Sequence, residues 1–535
     1  MKIKFLGAAK TVTGSFHVLE TDNVRFAVDC GLFQGSSSIK ERNYQPFRID
    51  PTTIDFMILT HAHIDHSGLV PKLCANGFKG PIYCSQATLE LSEILLPDSA
   101  HIQESEIERK NRKLGRAGKP LLRPIYSVED AQKSLKQFKS LPYDQSFSPA
   151  PGIEVKMRDA GHILGSAILE IWITEGEKTT KMVFSGDLGN YGQNIINDPT
   201  FIEEADYLLV ESTYGNRLHE SNTTRIQQLQ EAIDFTMKKG GNLVIPAFAV
   251  ERTQDLLYDL SVLRKQGKLP DVDVVIDSPL AVSATEIFER HPEFYDRETR
   301  DLINQGVNPF HLPGLKFSRT KEESMALNQL GDRAIIISAS GMCDAGRIKH
   351  HLKHNLWRPE STVLFVGYQA QGTLGRRLLE GEKLVNIHGE SIGVKADIRQ
   401  IDGYSAHADQ AGILLWLKHF KTLPKMTFLV HGEEESAIAL QALIEKELKI
   451  PVHIPGWLDE VDIDPAAEAI RLETSPAVEI APVALGTDAT KAMQAEQAYL
   501  EFRLLANQFF QQNWDAKDYD QIISNLQTAK NLLKS

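Results

Sequence analysis

The stretch LTHAHIDHSG, residues 59–68, sets His61, His63, Asp65 and His66 within six positions. Imidazole and carboxylate are ligands of the kind that zinc takes. In an extended chain side chains alternate between faces, so His61 and His63 project to one side. The sequence SGLVPKL that follows turns helical, which lets Asp65 and His66 point back to the same cavity. Four ligands so close can serve two ions, His61 and His63 for one, Asp65 and His66 for the other. The plainer reading is a polar loop with chance histidines. This order of residues at the end of an apolar strand argues against it.

Two ions need further ligands, and the chain offers them in a repeated setting. DAGHILGSA places His162 in a glycine-flanked turn before a strand. VFSGDLG puts Asp187 at the end of an apolar run, where a carboxylate can bridge two ions, and FLVHGEE puts His431 at another strand end. The pattern is an apolar strand, then a ligand, then a glycine. The elements that must position these residues read as strands at 24–31, 54–60, 81–85, 167–174, 181–187 and 207–213, punctuated by turn residues. The sequence between 86 and 140 reads as helical and polar, interrupted near Gly115–Pro120. From about 220 to 390 strands and helices alternate, which predicts a doubly wound α/β unit. Residues 465–535 show helical periodicity and no catalytic signal.

The bulk composition is that of a globular protein. The 535 residues are 42% hydrophobic and 24% charged, with no apolar run of membrane-spanning length. The beginning of the chain does not read as a signal peptide. Cys30, Cys74, Cys84 and Cys343 lack paired close spacing, which argues against a disulfide framework and fits a reducing cytoplasm. A net charge of −13 argues against nonspecific nucleic-acid binding but leaves room for a locally basic groove. The stretch 109–123 carries seven Lys or Arg and no acid, and 346–358 carries Arg347, Lys349, Lys353 and Arg358 with three histidines. Each stretch taken alone also reads as a solvated helix face.

The ordered series resembles the metallo-β-lactamase superfamily, and within it the β-CASP nuclease branch. Asp29 in VDCG matches the first motif, His61 to His66 the second, His162 the third and Asp187 the fourth. Glu211 in VESTYGNR, His407 in GYSAHAD and His431 in LVHGE match the branch's motifs A, B and C. The resemblance covers roughly residues 1–457. It implies an αββα sandwich with an inserted β-CASP α/β domain: residues 1–214 and 396–460 for the sandwich, 215–395 for the insertion, and 461–535 as a helical extension. It further implies two zinc ions. His61, His63 and His162 would hold the first, Asp65, His66 and His431 the second, and Asp187 would bridge them. Asp29 would orient ligands. Glu211 and His407 would form a hydrogen-bonded pair at the leaving group, so that Asp65, Glu211 and His407 count as catalytic.

The chemistry fits those roles. Two metals roughly 3.5–4 Å apart can activate water and clamp both oxygens of an in-line phosphoryl displacement. A histidine held charged by a carboxylate can protonate the departing alkoxide. Histidine as the motif C residue, His431, leans the resemblance toward single-stranded RNA as substrate. Ser338, Ser340 and Gly341 in SASGMCDAGR, Arg252 in PAFAVERTQ, and Gln371 and Thr373 in GYQAQGTLGRR are candidates for holding phosphates, in part through backbone amides at a helix start. Family members usually show Gly where Glu251 stands. Four activities are open to such a chain. A zinc-dependent ribonuclease accounts for the complete ligand set, with internal cleavage favoured and 5′-exonucleolytic cleavage as its alternative. A hydrolase of a small ester or thioester has no need of so long an insertion. A DNA-specific nuclease sits poorly with His431, and a non-catalytic RNA-binding scaffold with the intact Glu211 and His407. The tail leaves room for a homodimer.

Overall fold

A computed structural model describes residues 1–219, 222–327, 333–369, 372–464 and 469–473. Two mixed sheets lie face to face. The first runs in the order Ala469–Glu473, Glu460–Asp464, Lys2–Phe5, His17–Glu20, Arg25–Val28, Phe56–Ile58, Ile82–Cys84, Phe138–Ser140. The second runs Val452–His453, Met426–Val430, Tyr207–Glu211, Lys178–Phe184, Ala167–Glu175, Ile153–Asp159, Ser146–Ala150. Alternate residues of both sheets fill the space between them, among them Phe5, Phe26, Phe56, Leu169, Phe184 and Phe428. The opposite residues face helices. Val18, Ala27 and Met57 pack with Leu73 and Leu96, which sit on helices Val70–Ala75 and Gln86–Arg116. Ile168, Val183 and Leu208 pack with Trp416 and Leu440, on helices Gln410–Leu417 and Glu434–Glu447. The result is the expected αββα sandwich.

Between Glu211 and Met426 the chain builds a separate, wholly parallel sheet. Its order is Leu315–Phe317, Asp273–Ile276, Ala334–Ser338, Leu243–Pro246, Thr362–Phe365, Asp397–Gln400. Leu243 and Ile245 join the cluster with Leu229, Leu256 and Leu260, while Val244 joins Ile348 and Leu352 on the other face. A strand buried on both faces reads as a continuous apolar run, which is what NLVIPAF is.

The structure departs from the sequence expectations at three places. The inserted sheet takes Asp397–Gln400 as an edge strand, past the boundary at 395. Phe138–Ser140 is a strand paired to Ile82–Cys84, although the sequence to 140 reads as helical. At the other end, Glu460–Asp464 pairs with Lys2–Lys4 and Ala469–Glu473 folds back on it, where an extension of helices was expected. Ile470 and Leu472 alternate with Arg471 and Glu473, a period of two that suits a strand. From 474 the expected helical extension, with its surface for a homodimer, lies outside the described residues. Among the described residues no helix is long and apolar enough to cross a membrane, and the four cysteines are free thiols.

Candidate metal centre

The site gathers at the carboxyl ends of parallel strands. Phe184, Leu209 and Phe428 are register neighbours in three adjacent strands. Asp187 therefore follows the first strand closely, Glu211 ends the second and His431 follows the third. In the facing sheet Val28 pairs with Ile58, so Asp29 and the Thr60–His61 step leave adjacent strand ends. His162 lies in the turn between Ile153–Asp159 and Ala167–Glu175. The chain must double back tightly to bring these ends together. A Cβ on Gly31 would lie 1.6 Å from the Asp65 carbonyl oxygen, and one on Gly189 1.7 Å from that of Gly161. Asp29 and His431 adopt φ of 61° and 48°, a region that non-glycine residues rarely occupy and that clusters at functional sites.

Asp187 stands at the middle of the cluster. Its Oδ2 lies 3.5 Å from His61 Nε2 and 3.5 Å from His162 Nε2. Its Oδ1 lies 3.3 Å from His66 Nε2 and 3.5 Å from His431 Nδ1. His63 Nδ1 joins the first set, 3.1 Å from His61 Nε2 and 3.2 Å from His162 Nε2. Asp65 joins the second, with Oδ2 3.6 Å from His431 Nε2. Three groups of candidate ligands result, His61–His63–His162–Asp187, Asp65–His66–His431 and Asp187–Glu211–His407–His431, each with donor atoms within 4.8 Å of one another.

The donors suit bound metal. Buried His66 Nε2, Asp187 Oδ1 and His431 Nε2 find no hydrogen-bond partner in the protein, which is costly unless something else satisfies them. Burial pushes the pKa of His61 and His162 well down, and that of His63 to about 4, so their lone pairs are free to ligate. Burial opposes charge on Asp187 too, but His431, His66 and His61 outweigh it and hold the carboxyl well below its usual range. For Asp65 burial is likewise overcome, by the nearby rings of His431, His66 and His63, and the pKa falls to about 2. Asp29 lies behind the ligands. It takes the His66 Nδ1 contact at 2.7 Å and accepts from the Thr60 amide at 2.8 Å.

Beside this cluster stands an acid–base pair. His407 Nδ1 lies 3.0 Å from Glu211 Oε2, and Glu211 Oε1 accepts from the Leu188 amide at 2.6 Å. Burial works against charge on His407, but Glu211, then Asp187 and Asp65, outweigh it and lift its pKa to about 9. The loop bearing His407 is anchored by a bridge to Gly189 and by His219, whose Nε2 lies 3.0 Å from the His407 carbonyl oxygen.

The candidate phosphate contacts are placed differently. Ser338 donates to the Asp277 carbonyl at 2.8 Å, and Thr373 caps helix Leu374–Leu379 by accepting from the Arg376 amide. Both hydroxyls are committed inside the inserted domain. Ser340 contacts the Ala345 backbone, and Gly341 lies against the Phe248 ring. Gln371 lies outside the described residues. Arg252 is 6% exposed, its Nη1 4.0 Å from Asp255 and its Nε and Nη1 without a hydrogen-bond partner.

Two residues of the site, Thr60 and Thr213, escaped the sequence reading, and a third, Glu251, stood out only as a departure from the family's usual glycine. Thr60 places its hydroxyl within 3.1 Å of both Asp29 oxygens and of His61 Nδ1, and only its position before the histidines hinted at this. Thr213 Oγ1 lies 3.0 Å from His431 Nδ1. Glu251, at φ 66°, sends its carboxylate across to the Leu164 amide at 3.1 Å, two residues beyond His162. The inserted domain thus grips the turn that carries a candidate ligand.

An αββα sandwich with histidines and aspartates converging at its strand ends defines a metal-dependent hydrolase of the metallo-β-lactamase superfamily. Residues 18–211 match the metallo-beta-lactamase superfamily domain, 253–378 the Beta-Casp domain, and 391–455 a domain described as Zn-dependent metallo-hydrolase RNA specificity domain. The chain is 37% identical over 445 residues to Ribonuclease TTHA0252 of Thermus thermophilus, spanning 83% of this chain and 96% of that protein. It is 32% identical to Transcription termination factor FttA of Methanosarcina mazei, over 84% and 70% of the two chains. An RNase J-like protein of Methanocaldococcus jannaschii is 29% identical over 85% and 97%. The chain belongs to the β-CASP family of metallo-hydrolases.

Proposed function

We propose that this hydrolase is a zinc-dependent ribonuclease that cuts single-stranded RNA internally. The observation that carries the reading is the juxtaposition of two candidate ligand sets, joined by Asp187, with the Glu211–His407 pair. The match to an RNA specificity domain and to a relative named as a ribonuclease supports RNA as the substrate.

His61, His63, His162 and Asp187 would hold one zinc ion, and Asp65, His66, His431 and Asp187 the other. Two bound zinc ions supply an activated water and charge stabilisation at the phosphoryl group. Asp29 fixes the His66 ring through Nδ1, so that Nε2 faces Asp187. Glu211 does the same for His407 and stabilises its charged form. With Nδ1 turned to Glu211, the proton on His407 Nε2 is the one to pass to the leaving oxygen as the phosphorus–oxygen bond breaks. Arg252, buried without a hydrogen-bond partner for two guanidinium nitrogens, is the strongest of the phosphate candidates.

The test is cleavage of a circular single-stranded RNA by zinc-loaded protein, beside the linear RNA and a circular DNA of the same sequence. An internal nuclease opens the circular RNA. Cutting of the linear RNA alone would turn the reading to an exonuclease, and equal cutting of both circles would remove RNA selectivity.

A further inference from the structure

The basic stretch 109–123 and the histidine-rich stretch 346–358 lie in different domains, and the chemistry above uses neither. Helix Gln86–Arg116 starts beside the metal centre. The hydroxyls of Ser85 and Thr88 lie 2.7 and 2.8 Å from the carbonyl oxygen of Gly165, three residues after His162. The last buried side chain of this helix is Ile107. Beyond it Arg109, Lys110, Lys113 and Arg116 are exposed, with no ion-pair partner among the described residues. The returning chain is clamped to this arm, for Asn111 accepts from the Leu122 amide at 2.8 Å and donates to its carbonyl at 2.9 Å. At about 1.5 Å per residue the basic tip stands about 30 to 40 Å from Thr88.

The inserted domain presents a matching face. His388, in the turn between strands Leu384–Ile387 and Glu390–Gly393, stacks on His350 with ring centroids 4.7 Å apart at 30°. Lys349 and Lys353 share helix Ile348–Asn355 with His350, Lys349 Nζ donating to the Asp344 carbonyl at 3.2 Å and Lys353 in an ion pair with Glu390. Burial, then His350, Lys349, Arg109 and Lys353, lower the pKa of His388, so the field of the arm reaches this face. Burial, then neighbouring cations, lower that of His350 as well. Two stacked rings among lysine and arginine side chains suit single-stranded RNA: cations hold phosphates and planar rings take bases. An acidic protein partner has no need of the stacked rings.

We propose that the arm from Arg109 to Arg116 and the facing Lys349–His350–His388 surface form one track for single-stranded RNA, remote from the point of cleavage. The proposal rests on the ribonuclease reading and adds a length preference to it. Long RNA gains contacts on the track, and a short oligonucleotide lying at the metal centre does not.

The experiment compares the whole zinc-loaded chain with its Arg109→Ala/Lys113→Ala/Arg116→Ala variant. It follows cleavage of an octanucleotide and of a long RNA, and binding of the long RNA against salt. The octanucleotide is turned over at the same rate by both proteins, which also verifies folding. For the long RNA, KM rises by about an order of magnitude, and the slope of log K against log salt falls by about 2, three charges at about 0.7 each. A His350→Ala/His388→Ala variant weakens long-RNA binding about fivefold or more and leaves the salt slope unchanged, because stacking releases no counterions. Unchanged KM and slope in the triple variant overturn the track and leave the arm to an acidic protein partner. An equal loss on both RNA lengths overturns it too, since the charges then act on the centre itself. If the unmodified protein cleaves neither RNA, the ribonuclease reading falls, and the salt slope still tests the track.

Discussion

His407 Nδ1 and Glu211 Oε2 stand 3.0 Å apart, although 196 positions separate the two residues in sequence. The chain leaves the sandwich at Glu211, builds the inserted domain and returns to place His407 against the residue it left. The acid–base pair therefore joins the two ends of the insertion.

That pair sets a pH dependence. The His407 pKa is raised to about 9, so the protonated form persists below about 9 and is lost above it. Activity should fall along an alkaline limb near that pH. Glu211→Gln removes the carboxylate that most favours the charged imidazole, so the limb moves to lower pH. His407→Ala should lower kcat about 10²- to 10⁴-fold with metal content unchanged. Rate–pH profiles of the three proteins check this.

Asp29 should act through His66. It touches His66 Nδ1 at 2.7 Å and stands behind the candidate ligands. Asp29→Ala frees the His66 ring to turn, and zinc affinity should fall about 10- to 100-fold. Competition with a chromogenic chelator reads the loss.

Gly31→Ala should prevent the site from forming. The added methyl would fall 1.6 Å from the Asp65 carbonyl oxygen, which is backbone and cannot swing aside. Soluble expression and the thermal transition should show a destabilisation well beyond the about 1 kcal/mol typical of substitutions.

Glu251 should separate function from stability. Glu251→Gly relieves a φ of 66° but leaves the buried Leu164 amide without its acceptor, and the two effects are each about 1 to 3 kcal/mol with opposite sign. Stability should change little, while the turn bearing His162 loosens and kcat falls several-fold. Glu251→Gln keeps an acceptor and should stay near the unmodified rate. Chemical denaturation beside steady-state kinetics tests the split.

Much of the site was legible because strand ends bring ligands together and strands announce themselves. FMI, MVF and FLV are apolar runs, and the residue types after them advertise metal chemistry. The Glu211–His407 pair was legible through family resemblance alone, since nothing local in either motif points across the insertion. Contacts made by common residue types stayed hidden. Ser338 and Thr373 read as phosphate contacts, yet their hydroxyls serve a carbonyl and a helix cap, uses that only the fold discloses. Glu251 read only as a departure from the family's usual glycine, whereas it is buried and its carboxylate reaches the Leu164 amide across the two domains. Asp397–Gln400 pairs with Thr362–Phe365 of the inserted sheet, a partner that its own residues do not announce, so the boundary fell short of it.

The most direct measurement is a titration of metal-stripped protein with zinc, following RNA cleavage and bound metal together. Activity should be absent without metal and should reach its plateau at about two zinc ions per chain, with Asp187→Asn remaining inactive. Full cleavage by the metal-free protein, or a plateau at a single ion, would contradict the proposed two-metal mechanism.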